Sequence, residues 1–421
     1  MKKRIKSIIT NPLFSGSVVM IVGSNATNFL NYIYHLIMGR LLGPANYGEL
    51  SVLFSLLGLF GIITGSLGLV MVKFVSASKT KEEISELIFW INKKTMFFSI
   101  LLALVLVILS PFITSFLHIQ NPYLIVLIAA IIVFSYPAFF LRSVLQGLLK
   151  FKEMIISVLV ETFVKLILGV LLVYLGFSVG GAMTGLFVAS VLAWVLLLYF
   201  IKDYLVGIKR SSINFLSMVK FSAPIFVYSA ATTSLYSADI ILVKHFFSAH
   251  DAGLYAALST LGKIIFFATS PISSVMFPMI SQRQARGEGF SKVFIPSLML
   301  TLLMSLGVTG IFWLFPQLTI KMLYGVLYLD AAYLLIWFGI FMTLYSLSSL
   351  MINFYLSLGK VKVVLLPLVA AVLQVVGIWF IHDSLISVIY ISIGVTTLLT
   401  IGLFVYFANT KDVNLGNSSS I

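Results

Sequence analysis

TMFFSILLALVLVILSPFITSFL, the stretch from Thr95 to Leu117 that follows Lys93-Lys94, holds no charged residue. A helix rising ~1.5 Å per residue needs ~20 residues to cross a hydrocarbon core of ~30 Å, and this stretch is long enough. Working outward from it, similar apolar runs recur along the whole chain. Twelve are read, at roughly 14–38, 46–72, 95–117, 122–148, 155–176, 180–201, 216–246, 254–282, 293–315, 330–356, 361–381 and 384–408. Composition agrees, because 60% of the residues are hydrophobic and 10% charged, whereas soluble domains carry charge on about 25% of theirs. The sequence predicts an all-α integral membrane protein.

The basic residues alternate between connections. Lys2, Lys3, Arg4 and Lys6 precede span 1, and Lys73, Lys79, Lys81, Lys93 and Lys94 follow span 2. Arg142, Lys150 and Lys152 follow span 4, Lys202, Lys209 and Arg210 span 6, Arg283, Arg286 and Lys292 span 8, Lys360 and Lys362 span 10, and Lys411 lies in the tail. The intervening connections hold only Arg40, Lys244 and Lys321, so the positive-inside rule places both termini in the cytoplasm. The net charge of +14 is accounted for by this topology and by anionic headgroups at the cytoplasmic face, not by nucleic acid. With no cysteine, the chain has neither disulfides nor thiolate metal sites. The basic Met1–Lys6 ahead of an apolar run has the outline of a signal peptide, but Ser24, Asn25, Asn28 and Asn31 mark that run as a retained span with a polar face.

The hydrophilic interval from Lys202 to Asn214 divides the spans six and six, giving lobes at 1–205 and 206–421. The end of span 1, Gly39-Arg40-Leu41-Leu42-Gly43-Pro44-Ala45-Asn46-Tyr47-Gly48, and the end of span 7, Val243-Lys244-His245-Phe246-Phe247-Ser248-Ala249-His250-Asp251-Ala252-Gly253-Leu254-Tyr255, are alike. Each has a basic residue at the outer helix end, a short turn and a glycine opening the next helix. A repeat of this kind predicts two six-helix bundles in the same orientation around a central cavity.

Polar residues recur at helical spacing on the first helix of each half. Span 1 carries Ser17, Ser24, Asn28, Asn31 and His35, and span 7 carries Ser222, Ser229, Thr232, Tyr236 and Asp239. A shift of 204 positions lays Asn28 on Thr232, Tyr32 on Tyr236, His35 on Asp239 and Arg40 on Lys244. Two readings stand: the stripes line a pathway, or they bridge packed helices as hydroxyls and amides commonly do. In span 2, Gly58, Gly61, Gly65 and Gly68 share one face, which predicts close helix packing. Kinks are expected at Pro137, Pro224, Pro271, Pro278, Pro296 and Pro367, each of which lacks a backbone donor.

An ionisable side chain near mid-membrane costs at least ~2.5 kcal/mol, so those that persist are functional candidates. Glu161 and Lys165, four apart on span 5, are expected either to pair or to leave the lysine for a phosphate-bearing ligand. Asp239 and Lys263 lie at similar depth, where they pair structurally or divide into a coupling-ion carboxylate and a ligand-binding cation. Lys220 and Arg142 are expected to snorkel at the cytoplasmic boundary or to form a basic mouth. His35, His118, His245, His250 and His382 all fall near outer ends without metal-ligand spacing. Signatures of enzymes, namely a phosphate-cradling glycine loop, a metalloprotease histidine pair or an acidic pair in a long loop, are absent. The longest outer connection, about Pro316 to Leu329, is too short for a domain.

The chain resembles the polysaccharide-transporter family of lipid-linked oligosaccharide flippases, of O-antigen and teichoic-acid exporter type, within the multidrug/oligosaccharidyl-lipid/polysaccharide exporter superfamily. The resemblance is carried by Gly39–Pro44 with Tyr47-Gly48, Gln146–Lys152, Glu161 and Lys165 followed by Gly176 and Gly180-Gly181-Ala182, and Phe221-Ser222-Ala223-Pro224. Further on, Asp239 before Lys244, Gly253-Leu254-Tyr255 and Phe277–Ser281 continue it. It implies twelve helices around a cavity lined by spans 1, 2, 7 and 8. It also implies transport of an undecaprenyl-diphosphate-linked glycan to the outer leaflet by alternating access, in a bacterial or archaeal cell membrane. A polysaccharide polymerase and glycosyltransferases are the protein partners it implies. Asn25, Asn28, Tyr32, Arg40, Lys165, Tyr228, Thr232, Tyr236 and Lys263 are then the substrate-binding candidates, and Asp239 the coupling-ion candidate for H+ or Na+; no other cofactor is expected. The alternative is a cation-coupled multidrug or metabolite exporter of the same superfamily. A membrane-embedded glycosyltransferase or assembly scaffold is disfavoured by the short outer loops.

Overall fold

A computed structural model describes residues 12–78, 80–204 and 215–409. Lys2, Lys3, Arg4, Lys6, Lys79, Lys209, Arg210 and Lys411 of the charge pattern lie outside them, as do the side chains of Ser17, Lys220, Phe221 and Pro224. The long helices are α1 (Pro12–Ala77), α2 (Lys81–Phe116), α3 (Tyr123–Gly147), α4 (Phe151–Leu172), α5 (Ser178–Ile201), α6 (Phe215–Leu235), α7 (Ala238–Phe246), α8 (Ala249–Ala285), α9 (Ser291–Leu314), α10 (Pro316–Leu323), α11 (Leu335–Ser357), α12 (Leu365–Phe380) and α13 (Leu385–Asn409). Among the described residues nine continuous helical stretches are long and apolar enough to span, and α6 with α7 makes one more, broken span. Two of the nine, α1 and the run from Phe151 to Tyr204, each hold two spans, which gives the twelve expected from the sequence.

Both of those double runs turn at a glycine. At Gly43 the backbone takes φ 68°, ψ 173°, a region that a Cβ makes accessible to glycine alone. Pro44 follows, lacking an N–H and disfavouring helical geometry in the residue before it. Gly176, at φ 94°, turns the chain between α4 and α5 through a short π-helical segment, Val173–Phe177. The connection after α9 is more structured than a loop: Pro316–Leu323 is helical, and Val326–Leu334 forms 3₁₀ turns.

By packing, the chain divides into two units, the first ending at Phe226 and the second beginning at Val227, within α6. In the first unit α4 packs on α5, α3 on α2, α5 and α1, and α1 on α4. In the second, α11 is central and packs on α8, α9 and α13. The faces are inside-out relative to a soluble protein. On α2 the buried residues include Thr95, Ser99, Ala103, Ser110 and Thr114, while Phe97, Leu104, Ile108 and Phe112 are exposed. Small and hydroxyl-bearing residues let helices approach where lipid offers no hydrophobic drive to associate, and the large apolar side chains face acyl chains.

Prolines inside helices free a carbonyl one turn back, and neighbouring hydroxyls take it up. Pro137 frees the carbonyl of Val133, which shares the Ser99 hydroxyl of α2, at 3.3 Å, with the Met96 carbonyl at 2.9 Å. Pro271 frees that of Phe267, which accepts from Ser270 Oγ at 3.2 Å. The glycine face of span 2 departs from expectation. Only Gly68 is closely packed, against Phe139 and Ser143, whereas a Cβ at Gly58, Gly61 or Gly65 would meet nothing within 4 Å. The tight glycine contact of this unit joins Gly185 of α5 to Gly169 of α4.

Candidate functional site

Two polar clusters stand out, one in each unit. In the first, Lys165 points from α4 into the bundle and is 7% exposed. Its Nζ donates to Asn31 Oδ1 and lies 4.6 Å from the ring centre of Tyr34 and 5.5 Å from that of Phe54, so the charge is met by an amide oxygen and two ring faces. The expected pairing with Glu161 does not form. Glu161 Oε2 instead takes Arg142 at 2.5 Å, and the Arg142 Nε donates to Ser157 Oγ at 3.0 Å. Arg142 therefore does not snorkel but turns into the bundle, because α3 and α4 pack with its planar fork facing both groups. Among the described residues Lys165 has no ion-paired carboxylate.

The span 1 stripe divides along its length. Ser24, Asn25 and Asn28 are exposed, and the Asn25 amide bonds only to its own helix at Ile21 O, 2.8 Å away. Higher up, Asn31 and His35 bridge, His35 Nδ1 lying 3.3 Å from Tyr47 Oη. The hydroxyls of Tyr32 and Tyr34 are buried without a hydrogen-bond partner among the described residues. Arg40 is exposed at the end of this arm, about 14 Å along the helix from Asn31, so it is not gathered with Lys165.

In the second unit, span 7 is not one helix. Its two pieces, Ile225–Leu235 and Ala238–Phe246, meet at 44°, and Asp239 stands in the first turn after the break. Fully buried, it accepts from Tyr255 Oη at 2.8 Å and from the Ile240 N–H at 2.9 Å, a placement the positive end of a helix dipole favours. Nearby in the same unit, Ser392 Oγ accepts from Gln374 Nε2 at 2.8 Å, and the Gln374 Oε1 has no partner among the described residues. Lys263 of α8 is within electrostatic range of Asp239 but forms no ion pair with it among the described contacts. Instead its Nζ lies 5.3 Å over the ring of Tyr236, which packs against Phe266 and Tyr345. Tyr345 Oη donates to the Thr232 carbonyl at 3.2 Å. Lys244 is buried in the last turn of α7.

The two clusters repeat one plan. His35 with Tyr47 in one unit and Asp239 with Tyr255 in the other join the stripe helix to a tyrosine just beyond the following turn. In each unit, moreover, a lysine from another helix lies over a tyrosine ring of the stripe helix. The sequence did not reveal a cavity of about 370 Å³ in the second unit, of whose lining only Tyr228 was a substrate-binding candidate. Its wall comes from one face of α8, including Thr269, Ser270, Ser273 and Ser274, and from Ser346, Ser349 and Asn353 of α11. Hydroxyl spacing of three and four within an apolar span was the available signal.

A multi-pass helical membrane fold with a polar cluster in each unit is shared with solved transporter structures. The solved inward-facing multidrug-resistance MATE transporter superposes with a TM-score of 0.67 at 15% identity, over 94% of this chain and 96% of that one. The lipid II flippase MurJ in its inward closed conformation gives 0.71 at 15% identity, over 93% of this chain and 87% of that one. The chain belongs to the polysaccharide biosynthesis protein family, which matches residues 37–333. An uncharacterized membrane protein of Methanocaldococcus jannaschii is 26% identical over 293 residues, 64% of this chain and 68% of its own length.

Proposed function

We propose that this protein is a flippase that moves an undecaprenyl-diphosphate-linked oligosaccharide from the cytoplasmic to the outer leaflet by alternating access, with both termini in the cytoplasm. The observation that carries the reading is the pair of lysines, Lys165 and Lys263, each held by an aromatic ring and lacking an ion-paired carboxylate among the described residues. Buried cations with no carboxylate in direct contact favour an anionic cargo, and a diphosphate supplies one. The exposed amides of Asn25 and Asn28, with Tyr32, Tyr228, Thr232 and Tyr236, supply contacts for sugar and linker. Membership of the polysaccharide biosynthesis protein family and the likeness in fold to a lipid II flippase support the same reading.

The test is transbilayer movement of a polyprenyl-diphosphate-linked glycan in proteoliposomes. Lys165→Ala and Lys263→Ala are expected each to lower the rate by at least about tenfold, as losing a charge-assisted contact of ~1.5–3 kcal/mol implies. Wild-type rates in both variants would refute the assignment. Asp239 is the coupling site for Na+ or H+ in this reading, so Asp239→Asn removes the response to whichever gradient drives transport. The same buried carboxylate also favours a second reading, a cation-coupled exporter. Efflux of organic cations that depends on Asp239, with no movement of the glycolipid, would replace the first reading by that one.

A further inference from the structure

The cavity of about 370 Å³ in the second unit sits at the lower end of the ~300–1,000 Å³ range of small-molecule pockets, and no charged side chain lines it. Four of its polar groups share a second property. Thr269 Oγ1 donates to Ile265 O, Ser270 Oγ to Phe267 O, Ser274 Oγ to Ser270 O and Asn353 Nδ2 to Ser349 O, at 2.9, 3.2, 3.2 and 2.9 Å. A hydroxyl has one proton and two lone pairs. In Thr269, Ser270 and Ser274 the proton is committed to the backbone of their own helix and acceptor capacity remains, while the Asn353 amide keeps a second N–H. Ser346 Oγ, 3% exposed as a residue and in the same wall, has no hydrogen-bond partner among the described residues.

An occupant of such a wall meets hydroxyl and amide groups that accept and donate hydrogen bonds, and no cation to neutralise a negative charge. A phosphate or carboxylate would enter it with no counter-ion among the lining side chains. A sugar bearing hydroxyl and N-acetyl groups donates several hydrogen bonds, and its apolar face suits the rings of Phe266 and Phe277 in the same lining. Phe266 packs against Tyr236, the ring beneath Lys263, so the lysine stands about one helical turn beyond the cavity's edge, where the anionic linkage of a glycolipid continues.

We infer that this cavity, walled by the hydroxyls of α8 and α11, is a subsite for a neutral sugar of the glycan and excludes acidic sugars. The inference rests on the flippase reading for the glycan's identity as cargo, and its test is independent of transport. Because the chain has no cysteine, Ser273→Cys places a single thiol in the wall. In the full-length protein in nanodiscs, alkylation of this thiol by N-ethylmaleimide is measured with N,N′-diacetylchitobiose and with glucuronate. The neutral disaccharide is expected to slow alkylation by about tenfold and glucuronate to leave it unchanged. In Ser273→Cys/Ser349→Phe, where the added ring fills the cavity, the protection is expected to vanish. Equal protection by both sugars, protection by neither, or a thiol that never reacts would overturn the subsite. Protection by the disaccharide without movement of polyprenyl-diphosphate chitobiose by the wild type would instead sink the flippase reading and leave the subsite standing.

Discussion

At Lys165, stability and function are expected to separate. Replacing a buried charge by an apolar side chain of similar size is often neutral or stabilising by ~1–4 kcal/mol, because the ammonium no longer has to be held out of water. Lys165→Met is therefore expected to melt at or above the wild-type temperature in detergent while losing glycolipid transport. Asn31→Ala is expected to do the reverse for stability. It strips the ammonium of its amide acceptor, at a cost of ~1–3 kcal/mol seen as a lower melting temperature by circular dichroism. The sequence marked Lys165, Asp239 and Lys263 because charge inside an apolar span is conspicuous. It did not reveal that Glu161 takes Arg142, since that partner lies on another helix and only the packing of α3 on α4 chooses between it and the nearer lysine.

At the level of the helices, breaks and kinks have identifiable donors and acceptors. Gly43→Ala forces a Cβ into a glycine-only region at φ 68°, and the expected cost is of order 1–3 kcal/mol, read as a lower melting temperature with Pro44 left in place. Ser99→Ala removes the hydroxyl that the Val133 carbonyl shares with that of Met96 and is expected to destabilise by ~1–3 kcal/mol. In the Pro137→Ala background the residue at 137 regains an N–H for that carbonyl, so the cost of Ser99→Ala is expected to shrink. A double-mutant cycle reads the difference. Additive effects would show that the hydroxyl is not compensating for the proline. The sequence located Pro137, Pro271 and the turn at Gly43-Pro44. The break of span 7 before Asp239 was hidden, because residues 233–240 contain neither glycine nor proline.

For the molecule as a whole, span number and the likeness of the two halves were legible because apolar length and repeated turns are properties of local sequence. The cavity of the second unit was not, since it is built from helices α8 and α11 that lie far apart in the chain and meet through packing. The orientation proposed from basic residues has a direct check in this cysteine-free protein. Single cysteines at Met322 and at Gly287 are expected to react with an impermeant thiol reagent from opposite sides, the first from outside intact cells and the second only after the membrane is opened. Labelling of both from outside would overturn the assigned topology.

The inward rows of serine, threonine and alanine on α2, set against outward phenylalanine, leucine and isoleucine, invert the usual map of mutational tolerance. Exchanges among bulky aliphatic and aromatic residues at Phe97, Leu104 or Ile108 alter only which hydrocarbon touches lipid. Enlarging Ser99, Ala103 or Ser110 by a few methylenes forces neighbouring helices apart. A saturation scan of α2 is therefore expected to spare the greasy outer positions and to penalise bulk at the small inner ones.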